Sequence, residues 1–135
     1  MKKFLFAGLF LAVAGVCIGY YMWNKPHQNI SKAKPAFEVT SDVIVQEFQD
    51  DEIAANTNYL GKIIQVSGQI RQLTSNEDGT AQILLTSQDL LSSVSCNLQE
   101  GEDLTQLNVG DQVTIKGKCT GSLMDVILQR CVIVK

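Results

Sequence analysis

The chain is short of the residues that most chemistry requires. It has a single histidine, His27, and four cysteines with no C-x-x-C pair among them. A hydroxyl or thiol nucleophile needs a base beside it, and His27 lies in a linker-like stretch outside any strand or helix pattern, so a Ser-His or Cys-His pair within the domain is excluded. Cys96, Cys119 and Cys131 are scattered and show no close metal-ligand spacing, which leaves them structural roles. Glu52 and Asp125 are isolated carboxylates of the kind usually found solvated. The expectation is a protein that is not an enzyme, holds no metal and uses no cofactor.

Aromatic residues are missing from most of the chain. All nine lie at or before Tyr59, and beyond it the basic residues are Lys62, Arg71, Lys116, Lys118, Arg130 and Lys135. Single-stranded nucleic acid is held by aromatic stacking in a positive groove. The net charge is −3, and without Lys2 and Lys3 the remainder carries nine basic against 14 acidic residues. Such a remainder repels phosphate polyanions and anionic lipid. Nucleic acid is therefore not the expected partner.

Charge is also absent from Phe4 to Trp23, and this run defines the first segment, residues 1–23. Twenty uncharged, mostly apolar residues suffice as a helix to cross about 30 Å of hydrocarbon. Tyr20, Tyr21 and Trp23 stand at its far end, where amphipathic rings favour the interface. The run is long for a signal-peptide core and no Ala-x-Ala site follows, so an uncleaved anchor is preferred to a cleaved leader. A lipidated Cys17 is the weaker reading, because Val16 stands where a small residue is expected. Lys2 and Lys3 favour a cytoplasmic N-terminus, although Lys25, Lys32 and Lys34 follow the run. A signal-anchor is read, single-pass, with the domain on the periplasmic side. Gly8, Ala12, Gly15 and Gly19 share one helix face, a spacing that permits close helix–helix approach and self-association in lipid.

The only two prolines, Pro26 and Pro35, fall in residues 24–39, which read as a flexible polar tether. Residues 40–135 form the domain. Thr40 or Ser41 reads as an N-cap with Asp42 in the first turn. Ile44, Val45, Phe48, Glu52, Ala55 and Tyr59 then recur at helical spacing, and Gly61 supplies a stop. Five strands follow. Ile64, Val66, Gly68 and Ile70 alternate with polar residues, Asn76–Gly79 makes a hairpin turn, and strands continue over 81–86 and around Val94, Cys96 and Leu98. Leu104 and Leu107 are placed at the barrel end. The fourth strand follows the Val109-Gly110-Asp111 turn, with Val113, Ile115 and Gly117 inward, and the fifth covers 126–134. One amphipathic helix followed by five strands, the first and fourth with inward glycines, specifies a mainly β, five-stranded Greek-key barrel.

The stretches Asp51–Lys62 running into Val66-Ser67-Gly68, Val94-Ser95-Cys96, Gly110–Gly121, Met124-Asp125-Val126 and Arg130-Cys131, with Tyr20–His27 after the anchor, carry a resemblance. The chain resembles the tRNA_anti-like family of OB-fold proteins, small membrane-anchored or exported bacterial proteins whose function is unassigned. The resemblance implies the barrel and no particular activity.

A binding module remains, for a protein partner or small ligand, with single-stranded nucleic acid or oligosaccharide as the alternative. OB-folds often bind through their second and third strands and adjoining loops. Candidate binding residues are Asn56, Tyr59 and Lys62 where the helix meets the first strand, and Lys116, Lys118 and Asp125 around the fourth. In an exported domain three cysteines imply one bridge and one thiol. In a direct hairpin of the last two strands Cys119 and Cys131 are too far apart to join. The third and fifth strands of an OB barrel are neighbours, so Cys96 and Cys131 are the expected disulfide and Cys119 a buried thiol.

Overall fold

The computed structural model describes residues 1–24 and 29–134; His27 lies outside them. Helix α1 (Lys2–Trp23) has a mean hydropathy of 2.0 over its most apolar window and no buried side chain. Its 22 residues give a length of about 33 Å at helical rise, long and apolar enough to cross a membrane. Gly8, Gly15 and Gly19 face open space.

The stretch read as a tether is not free to its end. Phe37–Thr40 forms a strand, β1, parallel to β2 (Ile63–Ser75), with Phe37 opposite Ile64 and Thr40 opposite Ser67. Phe37 and Val39 alternate towards the core and Glu38 towards water. Before β1, Ile30 is buried against Ile63 and Val132, and the Ala36 amide bonds the Ile63 carbonyl at 2.8 Å. Residues 29–36 are thus a strap laid on the barrel.

The single helix expected after residue 40 is two helices, α2 (Ser41–Asp50) and α3 (Glu52–Tyr59). Thr40 caps α2 through its side chain, which accepts from the Val43 amide at 3.3 Å. Asp51 breaks the run: its backbone is extended (φ −155°, ψ 93°) and its carboxylate accepts from the Ala54 amide at 3.1 Å, opening α3. The break resets the helical phase. Ile44, Val45 and Phe48 of α2 and Ala55 and Tyr59 of α3 are buried, while Glu52, expected on the same face, is exposed. Gly61, at φ +75°, turns the chain into β2.

Strands β3 (Ala81–Leu85), β4 (Val94–Leu98), β5 (Gln112–Ser122) and β6 (Val126–Ile133) complete a sheet ordered β1-β2-β3-β4-β6-β5, closed by β5 pairing with β2. The closed barrel is β2 to β6, with β4 and β6 parallel and its other neighbours antiparallel. Strand β2 serves both sides of the closure. Ile63 to Gln69 pair with β5 and Ile70 to Ser75 with β3. Gly68 stands at this exchange, where an added Cβ would lie 3.0 Å from Ser41 Cβ and 3.3 Å from Leu85 Cβ. The glycine lets α2 sit against the bend, and the Ser41 hydroxyl donates to the Thr86 carbonyl at 2.6 Å. Ile64, Val66, Ile70, Ile83, Leu85, Ile115 and Leu128 fill the interior, and Leu104 and Leu107 pack partly buried against it.

Candidate functional site

Of the six candidate binding residues, Tyr59 and Lys62 meet on the Phe37 ring, while Lys116 and Asp125 are bonded within the fold. Tyr59 is buried, edge-on to Phe37 with ring centroids 5.0 Å apart, and its hydroxyl donates to Glu47. Burial first, then the hydrogen bond and negative charge of Glu47, hold its phenol far above the usual tyrosine range. Lys62 is exposed with its ammonium 5.3 Å from the centre of the Phe37 ring, a cation–π contact. Lys118 is exposed on β5, opposite Ile63. Asn56 is half-buried, and its Oδ1 has no hydrogen-bond partner among the described residues.

Lys116 and Asp125 hold the fold. Lys116 Nζ is covered by the strap and donates to the Ser31 and Ala33 carbonyls, each at 2.9 Å. Asp125 Oδ1 accepts from the Ser93 amide at 2.8 Å and the Ser93 hydroxyl at 2.9 Å, tying the β5–β6 turn to the start of β4.

Two grooves stand out instead. The first, about 260 Å³, lies between α2 and the loops before β4 and β6. Val45, Phe48 and Val126 are on its floor side, and Leu91, Leu123 and Met124 stand around it 81%, 88% and 77% exposed. These three are apolar residues at loop and turn positions, where polar residues are the norm. That mismatch was the signal available in the sequence.

The second groove, about 460 Å³, runs over the outer faces of β3, β4 and β6 and the β2–β3 hairpin. Gln82, Asn97, Gln99, Gln129 and Arg130 line it. Gln82 donates to Ser95 Oγ at 2.7 Å, whereas the side chains of Asn97, Gln99, Gln129 and Arg130 have no hydrogen-bond or ion-pair partner among the described residues. Arg130 is at φ +53°, the one non-glycine with positive φ among the described residues. It occupies a bulge, where β6 gains a residue against both neighbours between the Lys118–Gln129 and Lys116–Val132 pairs.

Cys96, Cys119 and Cys131 are fully buried and free in this structure. The Cys96 and Cys131 thiols are hydrogen-bonded across the parallel β4–β6 pair; that bond, then burial, raises the Cys96 thiol well above its usual range. Their register is diagonal, since Cys96 is opposite Leu128 and Cys131 opposite Leu98. Cys119 is opposite Leu128 on the other side of β6, and burial pushes its thiol up. No group of three or more His, Cys, Asp or Glu residues suited to a metal occurs among the described residues.

Strand order, the parallel β4–β6 pair and the closure through β2 define an OB-fold barrel, here preceded by an apolar helix. The tRNA_anti-like family model matches residues 1–133, and the chain belongs to that family. No curated protein matches it. Among solved structures, the chain is similar to a lipoprotein from Klebsiella pneumoniae subsp. pneumoniae named as a candidate nucleic acid-binding protein, at 23% identity and a TM-score of 0.58, over 71% of this chain and 91% of that one. It is also similar to two OBodies bound to hen egg-white lysozyme. AM1L10 is 20% identical with a TM-score of 0.42 over 58% of this chain and 84% of that one, and AM3L09 is 17% identical with a TM-score of 0.42 over 58% and 86%. At these identities the likeness is one of fold.

Proposed function

We propose that this protein is a non-catalytic, membrane-anchored OB-fold module, single-pass through α1, whose barrel docks a protein partner on the periplasmic side. The observation that carries the reading is the groove beside α2, where exposed Leu91, Leu123 and Met124 stand around a lining that also includes Gln49, Glu52, Ser92 and Ser122. Its one charged lining residue is Glu52, which favours an apolar partner segment flanked by a basic residue. Lipid is the poorer occupant, because the acidic domain is repelled by anionic headgroups. Nucleic acid is the poorer ligand too: Phe37, Phe48 and Tyr59 pack into the barrel core, and no aromatic residue stands on β2 to β6 for bases to stack upon.

A photo-crosslinking residue in place of Leu123 tests the docking reading in living cells. The expected result is a discrete protein adduct that Leu91→Asp or Met124→Asp abolishes without lowering the melting temperature. Adducts with lipid alone, or a smear that the aspartates leave unchanged, overturn it.

The address carries its own prediction. In an oxidising compartment a protein disulfide donor takes two electrons and two protons from Cys96 and Cys131, leaving the pair bridged and the donor reduced. Both thiols are inaccessible in the closed barrel, so the exchange occurs before folding is complete. The bridge would close a loop of about 35 residues and stabilise the domain by about 3–4 kcal/mol on the chain-entropy estimate. Mass spectrometry of thiol-blocked, non-reduced protein is expected to show Cys96 joined to Cys131 and Cys119 blocked only after unfolding. Three free thiols in the barrel would argue for the cytoplasmic side.

A further inference from the structure

We infer that the strap face of the barrel docks on the anionic surface of the membrane that holds α1, through Lys32, Lys34, Lys62 and Lys118. The inference rests on the reading of α1 as an anchor, and its surface is distinct from the groove beside α2.

The first observation is how the strap lies. The Ser31 and Ala33 carbonyls turn inward to Lys116 Nζ, and Ile30 and Ala33 pack against Ile63 and Val132. Lys32 and Lys34, which alternate with them, are left exposed. Lys118 is exposed two residues along β5 from Lys116 and directly opposite Ile63, which the strap covers. Lys62 precedes Ile63 and holds its ammonium over the Phe37 ring, where the strap runs into β1. Four exposed ammonium groups thus surround the strap, and no ion pair engages them among the described residues. Across the strap, β1, β2, β5 and β6 the only carboxylate is Glu38; Glu102 reaches in from the β4–β5 loop to the Ile133 amide.

The second observation is proximity. Five residues join Trp23 to Asn29 and span at most about 17 Å, so α1 holds this face at the bilayer. Attraction to an anionic leaflet falls off within a Debye length, about 8 Å at physiological salt, and favours a face that is tethered close. Each lysine at such a surface strengthens binding about fivefold.

The domain's negative charge lies elsewhere. Asp42, Glu47, Asp50, Asp51 and Glu52 are all exposed on α2, α3 and their junction, and no basic residue occurs from 41 to 61. The repulsion that keeps anionic lipid out of the groove belongs to this helical end. Attraction on one face and repulsion on the other orient the barrel. Val126 lines the groove and Val132 lies beneath the strap, at opposite ends of β6 and about 20 Å apart at strand rise. Docking by the strap face therefore holds the groove away from the bilayer, open to a partner.

The test is NMR of the full chain in nanodiscs that carry a headgroup spin label, made of neutral phosphatidylcholine or of its mixture with anionic phosphatidylglycerol. The anionic discs are expected to broaden the amide signals of Lys32, Lys34 and Lys118 severalfold more than the neutral discs do, to leave Leu123 and Met124 sharp, and to lose the difference at high salt. The triple variant Lys32→Gln, Lys34→Gln, Lys118→Gln is expected to lower the ratio of docked to free barrel about a hundredfold, at about fivefold per lysine. It should melt with the natural protein, because all three side chains are exposed. Co-purification with the discs reads the anchor separately. A chain absent from both kinds of disc overturns the anchor and this inference together. A chain present in both whose strap signals broaden equally in each, or whose triple variant docks unchanged, overturns the docking and leaves the anchor standing. Broadening at Leu123 and Met124 instead would overturn the orientation. A thymidine decanucleotide that shifts the Lys32, Lys34 and Lys118 signals in neutral discs would assign the face to nucleic acid.

Discussion

Gly117→Ala is expected to destabilise the barrel by about 2–3 kcal/mol, near the upper end for overpacking of a buried site. An added Cβ would sit 2.5 Å from Cys131 Sγ, and 3.3 Å from both the Gln129 carbonyl oxygen and Leu128 Cβ. Two of these neighbours are rigid. A backbone carbonyl and a Cβ move only if strand β6 moves, and β6 is held by β4 on one side and β5 on the other. The third is a short thiol already placed against Cys96. Alanine is otherwise the better strand residue, so the sign of the change reports packing rather than propensity. For a domain of this size the melting temperature should fall by roughly 10–20 °C. The Cys131→Ala background identifies the cause. Removing Sγ costs stability by itself, but it clears the closest clash, so the double variant should be more stable than the two single losses predict by about 1 kcal/mol. Thermal denaturation of all four proteins under reducing conditions gives the coupling. Gly117→Ala melting with the natural protein would show that β6 yields where the contacts say it cannot.

The same residue marks where sequence reasoning works and where it stops. The inward row of Val113, Ile115, Gly117 and Cys119 was legible from alternation, because the barrel buries one face of each strand. So were the Thr40 cap, the glycine turns at 61, 79 and 110, and the inward Ile64, Val66 and Ile70. Each is decided within a few residues of chain. What escaped was decided by neighbours distant in sequence. Phe37–Thr40 is a strand only because the edge of β2 is there to receive it. Asp51 carries no local mark that separates a helix-breaking cap from a solvated carboxylate. Arg130 sits in a bulge that exists because β4 and β5 fix β6 from two sides. The candidate binding residues stand out in the sequence by charge and by position near the helix–strand junction and the fourth strand. Charge does not reveal whether the group is already bonded, and for Lys116 and Asp125 it is. The exposed leucines and methionine of the first groove were legible in principle, as apolar residues in turns.

Lys116→Met is the second large effect, and its expected signature is local. Lys116 lies on the outer row of β5, with Gln112 and Thr114, which is why alternation marks it as wet. It is 8% exposed because residues 29–36 lie over it. Its ammonium donates to the Ser31 and Ala33 carbonyls, two charge-assisted bonds from one group. Methionine keeps the length and apolar body of the lysine stem but offers neither donor. Hydrogen bonds from a charged group contribute about 1.5–3 kcal/mol each, and the freed Ser31 carbonyl, on an exposed residue, regains water. A loss of about 2 kcal/mol for docking of the strap follows from these opposing effects. Ile30 would then leave Ile63 and Val132, while the interior cluster around Ile64 and Ile115 keeps its contacts. Hydrogen exchange should therefore quicken by about 10–30-fold at the Ala33 and Ala36 amides, which bond Asn29 and Ile63, and hardly change within β3 and β4. The consequence reaches the proposed membrane tether. With the strap docked, five residues join Trp23 to Asn29 and span at most about 17 Å; with it released, residues 24–36 span up to about 45 Å. If α1 is the anchor proposed above, Lys116 would limit how far from it the barrel reaches. Exchange that quickens uniformly across the barrel, or not at all at Ala33 and Ala36, would remove this role.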